Sequence, residues 1–285
     1  MDTVIQSRSR TVTIGSGQPF CIIGERINPT GRKAFQAQLQ AGDLSQLETD
    51  VTEQAATADV LDVNVGDPLA DEVALMEQAV KLVQELTDLP LCIDSSVIDA
   101  LEAGLAVYEG KALVNSVTGE DGRLEAILPI VAKYGAAVIG LANDEDIPME
   151  PERRLEVAKK IVSRAGDHGI PPEDILIDPL AMPVGAEPRA VTLFIETVRL
   201  IRDGLGVNMT CGASNTSFGL PGRHTLGGAF LAIAQSHGLT SAIMDARSQE
   251  CVEAVRAADF LLGHDEWGAT WIANFRAKQA AAAAS

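Results

Sequence analysis

A single (β/α)8 barrel of the TIM type is the fold that the 285-residue sequence predicts, and three observations predict it. Eight short apolar, β-branched runs recur along the chain, each followed by a stretch with helical periodicity or helix-former composition. The spacing is about 30 residues per unit, which is the arithmetic of eight βα repeats. The first run is followed by ERINPTGRK and not by the glycine-rich phosphate turn that a doubly wound sheet needs there. The GSG at 15–17 precedes that run and does not qualify.

Residues 1–19 read as a β-hairpin or cap closing the bottom of the barrel, residues 20–276 as the barrel, and residues 277–285 (AKQAAAAAS) as an alanine-rich tail expected to fray from the last helix. Strands are expected at 20–25 (FCIIGE), 59–65 (DVLDVNV), 90–94 (PLCID), 112–116 (ALVNS), 136–142 (AAVIGLA), 174–178 (DILID), 206–211 (GVNMTC) and 240–244 (TSAIM). Among the helices, DEVALMEQAVKLVQEL at 71–86 sets Val73, Met76, Val80 and Val83 on one face. LEVAKKIVSRAGDHG at 155–169 carries Leu155, Val157, Ala158, Ile161, Val162 and Ala165 as an apolar stripe. Gly169 stops it and Pro171–Pro172 bar continuation.

Composition bounds the function. Hydrophobic residues at 46% and charged residues at 22% are globular values and exclude bulk disorder. The net charge of −18 opposes binding to phosphate backbones or anionic lipid, so no nucleic-acid and no membrane partner is expected. Cys21, Cys92, Cys211 and Cys251 form no C-x-x-C pair and match no zinc spacing. They read as reduced, buried thiols of a cytoplasmic protein, with neither a signal peptide nor a membrane span expected.

In such barrels chemistry sits at the C-terminal ends of the strands. The residues standing there are Glu25 and Arg26, Asp62 and Asn64, Asp94, Asn115, Asn143 and Asp144, Asp178, Asn215 and Asp245. Asp62 and Asn64 share a face by strand alternation, with Leu61 and Val63 turned to the helices. Turn preference explains any one Asp or Asn taken singly, but not a ring of polar residues at all eight strand ends, seven of them Asp or Asn. No lysine ends a strand, which disfavours Schiff-base chemistry. His168, His224, His237 and His264 lie outside the strands, which disfavours a His-rich metal centre, and no bound metal is expected. A mouth of carboxylates and carboxamides suits a heterocycle rich in N–H and C=O groups, such as a pterin, and less well a magnesium-bound enolate.

IIGERINPTGRK (22–33), LDVNVGDP (61–68), CIDSS (92–96), LVNS (113–116), IDPL (177–180) and GASNTSFGLPGRH (212–224) occur in one consistent order. In these motifs the chain resembles the pterin-binding methyltransferases, above all the methyltetrahydrofolate:corrinoid protein enzymes of acetogenic and demethylase systems. The folate module of methionine synthase and dihydropteroate synthase are more distant. The resemblance implies a methyl transfer between nitrogen 5 of tetrahydrofolate and the cobalt of a corrinoid (cobalamin) carried by a separate protein, by in-line displacement. It implies that Asp94, Asn115 and Asp178 bind the pterin, with Asp178 and Asn115 on its amino-pyrimidine edge and Asp94 nearer the reacting side. Asn215 matches the asparagine that contacts nitrogen 5, so Asn215 and Asp94 become the catalytic candidates. Gly212 and Ser214 would line the same loop, and Asp62 and Asn64 the floor. A homodimer is implied as well. Trp267 and Trp271 are candidate anchors for it, against ordinary core packing as the stronger expectation.

Departures from the family pattern matter. Phe218 stands where the acetogenic enzymes have glutamine, so that contact does not carry over, and the role of Arg223 stays open. The last strand, TSAIMDA, lacks the R-x-H of dihydropteroate synthase, and no D-x-H-x-x-G is present to ligate cobalt within the chain. The remaining alternatives are a folate-binding scaffold without chemistry, a magnesium-dependent barrel lyase on Asp62, Asp94 and Asp178, and a dihydropteroate synthase-like enzyme.

Overall fold

The structure is a computed structural model and describes residues 1–284. Eight parallel strands form the barrel wall. They are β3 (Cys21–Ile27), β4 (Val60–Val63), β5 (Leu91–Asp94), β6 (Leu113–Val117), β7 (Ala137–Leu141), β8 (Ile175–Asp178), β9 (Asn208–Met209) and β10 (Ser241–Met244), preceded by the hairpin strands β1 (Asp2–Gln6) and β2 (Thr11–Gly15). The strand order is β10-β3-β4-β5-β6-β7-β8-β9. A bridge between Gly212 and Ile243 brings the two ends of that order together. The seam is reinforced by hydroxyls: Thr240 Oγ1 accepts from Met209 N at 3.0 Å and donates to Met209 O at 2.9 Å, and Ser241 Oγ donates to the same carbonyl at 3.0 Å.

Helices α1 (Lys33–Gln40) and α2 (Gln46–Gln54) follow β3. Then α3 (Glu72–Leu86), α4 (Ile98–Val107), α5 (Asp121–Tyr134), α6 (Pro151–Asp167), α7 (Ala190–Gly204), α8 (Arg223–His237) and α9 (Gln249–Leu262) each follow one of the next seven strands, and α10 (Ala269–Ala284) ends the chain. The α3 helix opens on Asp71, whose carboxylate accepts from Ala74 N, and α9 opens on Ser248 in the same way. The α6 helix starts at Pro151, four residues ahead of the apolar stripe, because proline is well tolerated in a first turn.

Strand alternation divides the core in two. Leu61, Val63, Leu91, Ile93, Val114, Val138, Ile175 and Ile177 face outward and pack with helix residues such as Met76, Val80, Leu101, Ile127, Ile161, Phe194 and Val198. Cys21, Ile23, Val60, Cys92, Leu113, Ala137, Ile139 and Leu176 fill the interior together with Ile5 and Ile14 of the hairpin. The hairpin thus plugs the bottom. Asn208 on β9 ties it down, donating to Thr3 Oγ1 at 2.9 Å and to the Ile14 carbonyl at 2.8 Å. Lys111 closes a second tie through a bridge to Gln6.

The structure corrects three expectations. The seventh strand is regular only over Asn208 and Met209 and not over 206–211: Gly206 takes a left-handed φ of 66° ahead of it, and beyond Met209 the pairing is reduced to single contacts with Ile177 and Ile243. The alanine-rich tail continues α10 as helix through Ala284, in keeping with the high helix propensity of alanine, and Ser285 lies outside the described residues. Trp267 is 87% exposed and takes no part in core packing, while Trp271 is partly buried. All four cysteines are free and buried. Among the described residues no helix is long and apolar enough to cross a membrane.

Candidate active site

The inward-facing register that fills the barrel carries directly into its mouth. Two residues beyond Ile23, Val60, Cys92, Leu113 and Leu176 stand Glu25, Asp62, Asp94, Asn115 and Asp178, on the same faces and at the C-terminal ends of their strands. The ladder of β6 shifts register just after Asn115. Asn64 stands one residue past β4 and Asp245 one residue past β10.

These groups pair off. Asn115 Nδ2 donates to Asp62 Oδ1 at 3.2 Å, and Asn64 Nδ2 donates to Asp94 Oδ2 at 2.8 Å. Asn64 is held in turn by Gly66 N, which donates to its Oδ1 at 2.8 Å. Asp62 lies beneath the mouth at 2% exposure, and burial together with the nearby charge of Asp94 pushes its pKa well above the usual carboxylate range. Burial pushes Asp94 up to about 6, against the hydrogen bonds from Asn64 and Asp62.

Asp178 forms the opposite wall. Its Oδ1 accepts from Leu180 N at 2.7 Å, and the Gly212 N–H also bonds the carboxylate. Burial pushes Asp178 up to about 6, although both backbone donors and Arg154 favour its charged form. Leu180 takes a φ of 68°, a left-handed backbone that leucine rarely adopts. It is clamped there by Asp178 on its N–H and by Arg154 Nη1, which donates to its carbonyl at 3.0 Å. The Arg154 side chain is almost fully buried and also donates to Pro179 O and Pro148 O, each at 2.7 Å. Sequence reasoning passed over Arg154. The available signal was a charged residue on a buried helix face shared with Pro151, Ala158, Ile161 and Ala165.

The third wall is the turn after β9, whose 3-10 segment Ala213–Asn215 carries Ser214 and Asn215. Asn215 is exposed, and its side-chain amide has no hydrogen-bond partner among the described residues. It folds back over Gly212, where a Cβ would come within 2.9 Å of Asn215 Nδ2 and displace the carboxamide from that position. Ser214 Oγ donates to Glu25 Oε1 at 2.7 Å. Arg223 Nη2 donates to Ser214 O at 3.0 Å and its guanidinium lies 5.8 Å from the ring of Phe218, which is 66% exposed at the rim. Beneath this turn is a cavity of about 100 Å3 lined by Glu25, Ser214, Ser217, Arg223, His224 and Asp245. Among the described residues no three His, Cys, Asp or Glu side chains are arranged to hold a metal ion.

All of the residues singled out from the sequence, Asp62, Asn64, Asp94, Asn115, Asp178, Gly212, Ser214 and Asn215, therefore meet at one end of one barrel. Residues 24–245, from β3 to the carboxylate after β10, match the family described as pterin binding enzyme. The chain belongs to the pterin-binding enzyme family.

Relatives within this family sharpen the comparison. A methylcorrinoid:tetrahydrofolate methyltransferase of Eubacterium limosum is 31% identical over 251 residues, covering 86% of this chain and 92% of that protein. A methionine synthase of Mycobacterium tuberculosis is 32% identical over 240 residues, covering 79% of this chain but only 20% of the much longer synthase. Among solved structures, a Xanthomonas albilineans dihydropteroate synthase superposes with a TM-score of 0.67 at 17% identity, covering 91% of this chain and 98% of that one. A Stenotrophomonas maltophilia dihydropteroate synthase gives 0.66, also at 17% identity and with the same coverage. At such identity these two establish the shared barrel and nothing about the substrate.

Proposed function

We propose that this pterin-binding chain is a methyltransferase that moves a methyl group between nitrogen 5 of tetrahydrofolate and the cobalt of a corrinoid carried by a separate protein. The observation that carries the reading is the exposed Asn215 carboxamide, free of protein partners among the described residues, on the turn whose Gly212 N–H bonds Asp178 and at the same barrel mouth as Asp94 and Asn115. The similarity to a methylcorrinoid:tetrahydrofolate methyltransferase over most of both chains supports it.

In this reading Asp178 and Asn115 take the amino-pyrimidine edge. A carboxylate accepts from paired N–H groups, and a carboxamide donates and accepts at once. Asp94 stands nearer the reacting side, and Gly212 lets the turn approach the ring. Nitrogen 5 gains electron density as the methyl leaves, and the Asn215 amide donates a hydrogen bond to it. Such a donor matters most in the transition state. The corrinoid arrives from outside, on a protein that docks over the mouth, and the methyltransferase works as a homodimer.

Calorimetric titration with tetrahydrofolate and methyltetrahydrofolate, in the presence of EDTA, tests the reading. Saturable binding that Asp178→Ala abolishes is the expected result. Asn215→Ala should retain binding and lose about 10²–10³ in turnover, as oxyanion-hole deletions do. Absence of binding up to millimolar folate overturns the reading.

A further inference from the structure

We propose that Glu25 is the acid that delivers a proton to nitrogen 5 as its methyl departs, and the base that removes that proton in the reverse direction. The inference rests on the functional reading above. Tetrahydrofolate without a proton at nitrogen 5 is a poor leaving group, and the Asn215 carboxamide donates a hydrogen bond but has no proton to give at neutral pH. A separate acid is therefore required beside Asn215.

The geometry singles out Glu25. The other mouth carboxyls are engaged elsewhere: Asp62 with Asn115, Asp94 with Asn64, and Asp178 with the N–H groups of Leu180 and Gly212. Two carboxyls reach the Asn215 turn: Asp178 takes the Gly212 N–H as well as that of Leu180, whereas Glu25 meets only a side chain, Ser214, the residue immediately before Asn215. Ser214 Oγ donates to Oε1 of Glu25, which leaves Oε2 without a partner among the described residues and free to hold the proton. The polar cavity of about 100 Å3 next to it is large enough for water, a route by which the carboxyl is reprotonated after each turnover.

The surroundings favour the protonated form of Glu25 relative to a free glutamic acid. Burial raises its pKa, and Asp245 beyond β10 raises it further, while Ser214, Arg223 on α8 and Arg247 beyond β10 lower it. Asp62 on the neighbouring strand β4 adds a further carboxyl on that side, and His224 lines the same cavity.

The step balances. In the forward direction the cobalt(I) lone pair forms the new cobalt–carbon bond, the nitrogen–carbon bond breaks with its electron pair left on nitrogen 5, and the Glu25 proton moves to that nitrogen. In reverse, the Glu25 carboxylate takes the proton while nitrogen 5 bonds the methyl and cobalt(I) leaves with its electron pair.

The pH profile of methyl transfer in Glu25→Gln and Ser214→Ala is the test, run with methyltetrahydrofolate and a cobalt(I) corrinoid protein. Tetrahydrofolate affinity and circular dichroism are measured on the same samples. In the wild-type chain kcat/KM should fall as pH rises through the Glu25 pKa. Glu25→Gln should bind folate normally, lose about 10²-fold in turnover and lose that limb. Ser214→Ala removes a donor that favours the charged carboxylate, so it should keep the limb but move it to higher pH, and this variant decides the matter if Glu25→Gln does not fold. A Glu25→Gln rate equal to wild type at every pH, or a Ser214→Ala profile that does not move, overturns the role of Glu25 while leaving the functional reading intact. A wild-type chain that binds folate but transfers no methyl overturns the functional reading itself, and the inference with it.

Discussion

Asp178, which the proposed function places against the pterin, is a buried carboxyl that weighs on the stability of the fold. Burial raises it from the ordinary 3.8 to about 6, so the folded state binds more protons than the unfolded chain between those values. Stability therefore falls as pH rises from about 4 to about 6, and the cost is complete above that window. Asp178→Asn keeps an acceptor for the Leu180 N–H but carries no charge. We expect it to be more stable than wild type at pH 7 by about 1–3 kcal/mol, with the gap closing as the pH falls toward about 4. Urea denaturation at a series of pH values measures this. The same variant should bind tetrahydrofolate poorly at every pH, whereas wild-type affinity should improve as pH rises through about 6. Asp94, Asn115 and Asp178 were readable from the sequence because strand alternation assigns a face to every second residue. The Ser214–Glu25 contact was not, since it joins residues 189 positions apart and no local pattern encodes it.

The hairpin shows what an element can do for the site without touching it. Ile5 and Ile14 complete the interior layer beneath the mouth, and both are fully buried. Ile5→Ala should cost about 2–5 kcal/mol in chemical denaturation and leave folate affinity unchanged, since the cavity it creates opens at the far end of the barrel. A changed affinity would mean that the plug and the mouth are mechanically coupled. At this scale the eight strands were legible, because β-branched runs bounded by turn residues have few other readings. The seventh was overestimated by four residues, since the left-handed Gly206 and the sparse pairing beyond Met209 truncate a run that reads as continuous. The start of α6 was missed because the apolar stripe marks only a buried face, while the first turn was announced by Pro151 alone.

For the whole molecule, the composition of the rim bears on the partner. Leu69, Val97, Ile147 and Phe218 stand exposed on four different loops following β4, β5, β7 and β9, around a mouth whose interior is polar. Under the proposed function these are the side chains that a corrinoid protein docking over the mouth would meet first. Phe218→Ser combined with Ile147→Ser should raise KM for the corrinoid protein by about tenfold or more, as loss of a buried aromatic anchor does, with folate affinity unchanged in calorimetry. The plug at the other end has a kinetic consequence. A vessel stoppered at its base fills and empties through its neck, and under the proposed function a docked corrinoid protein is a lid on that neck. Folate would then enter before the partner seats and leave after it lifts. Surplus partner should trap empty barrels, so initial rates should rise and then decline with corrinoid protein at fixed low folate, and the decline should vanish when folate saturates.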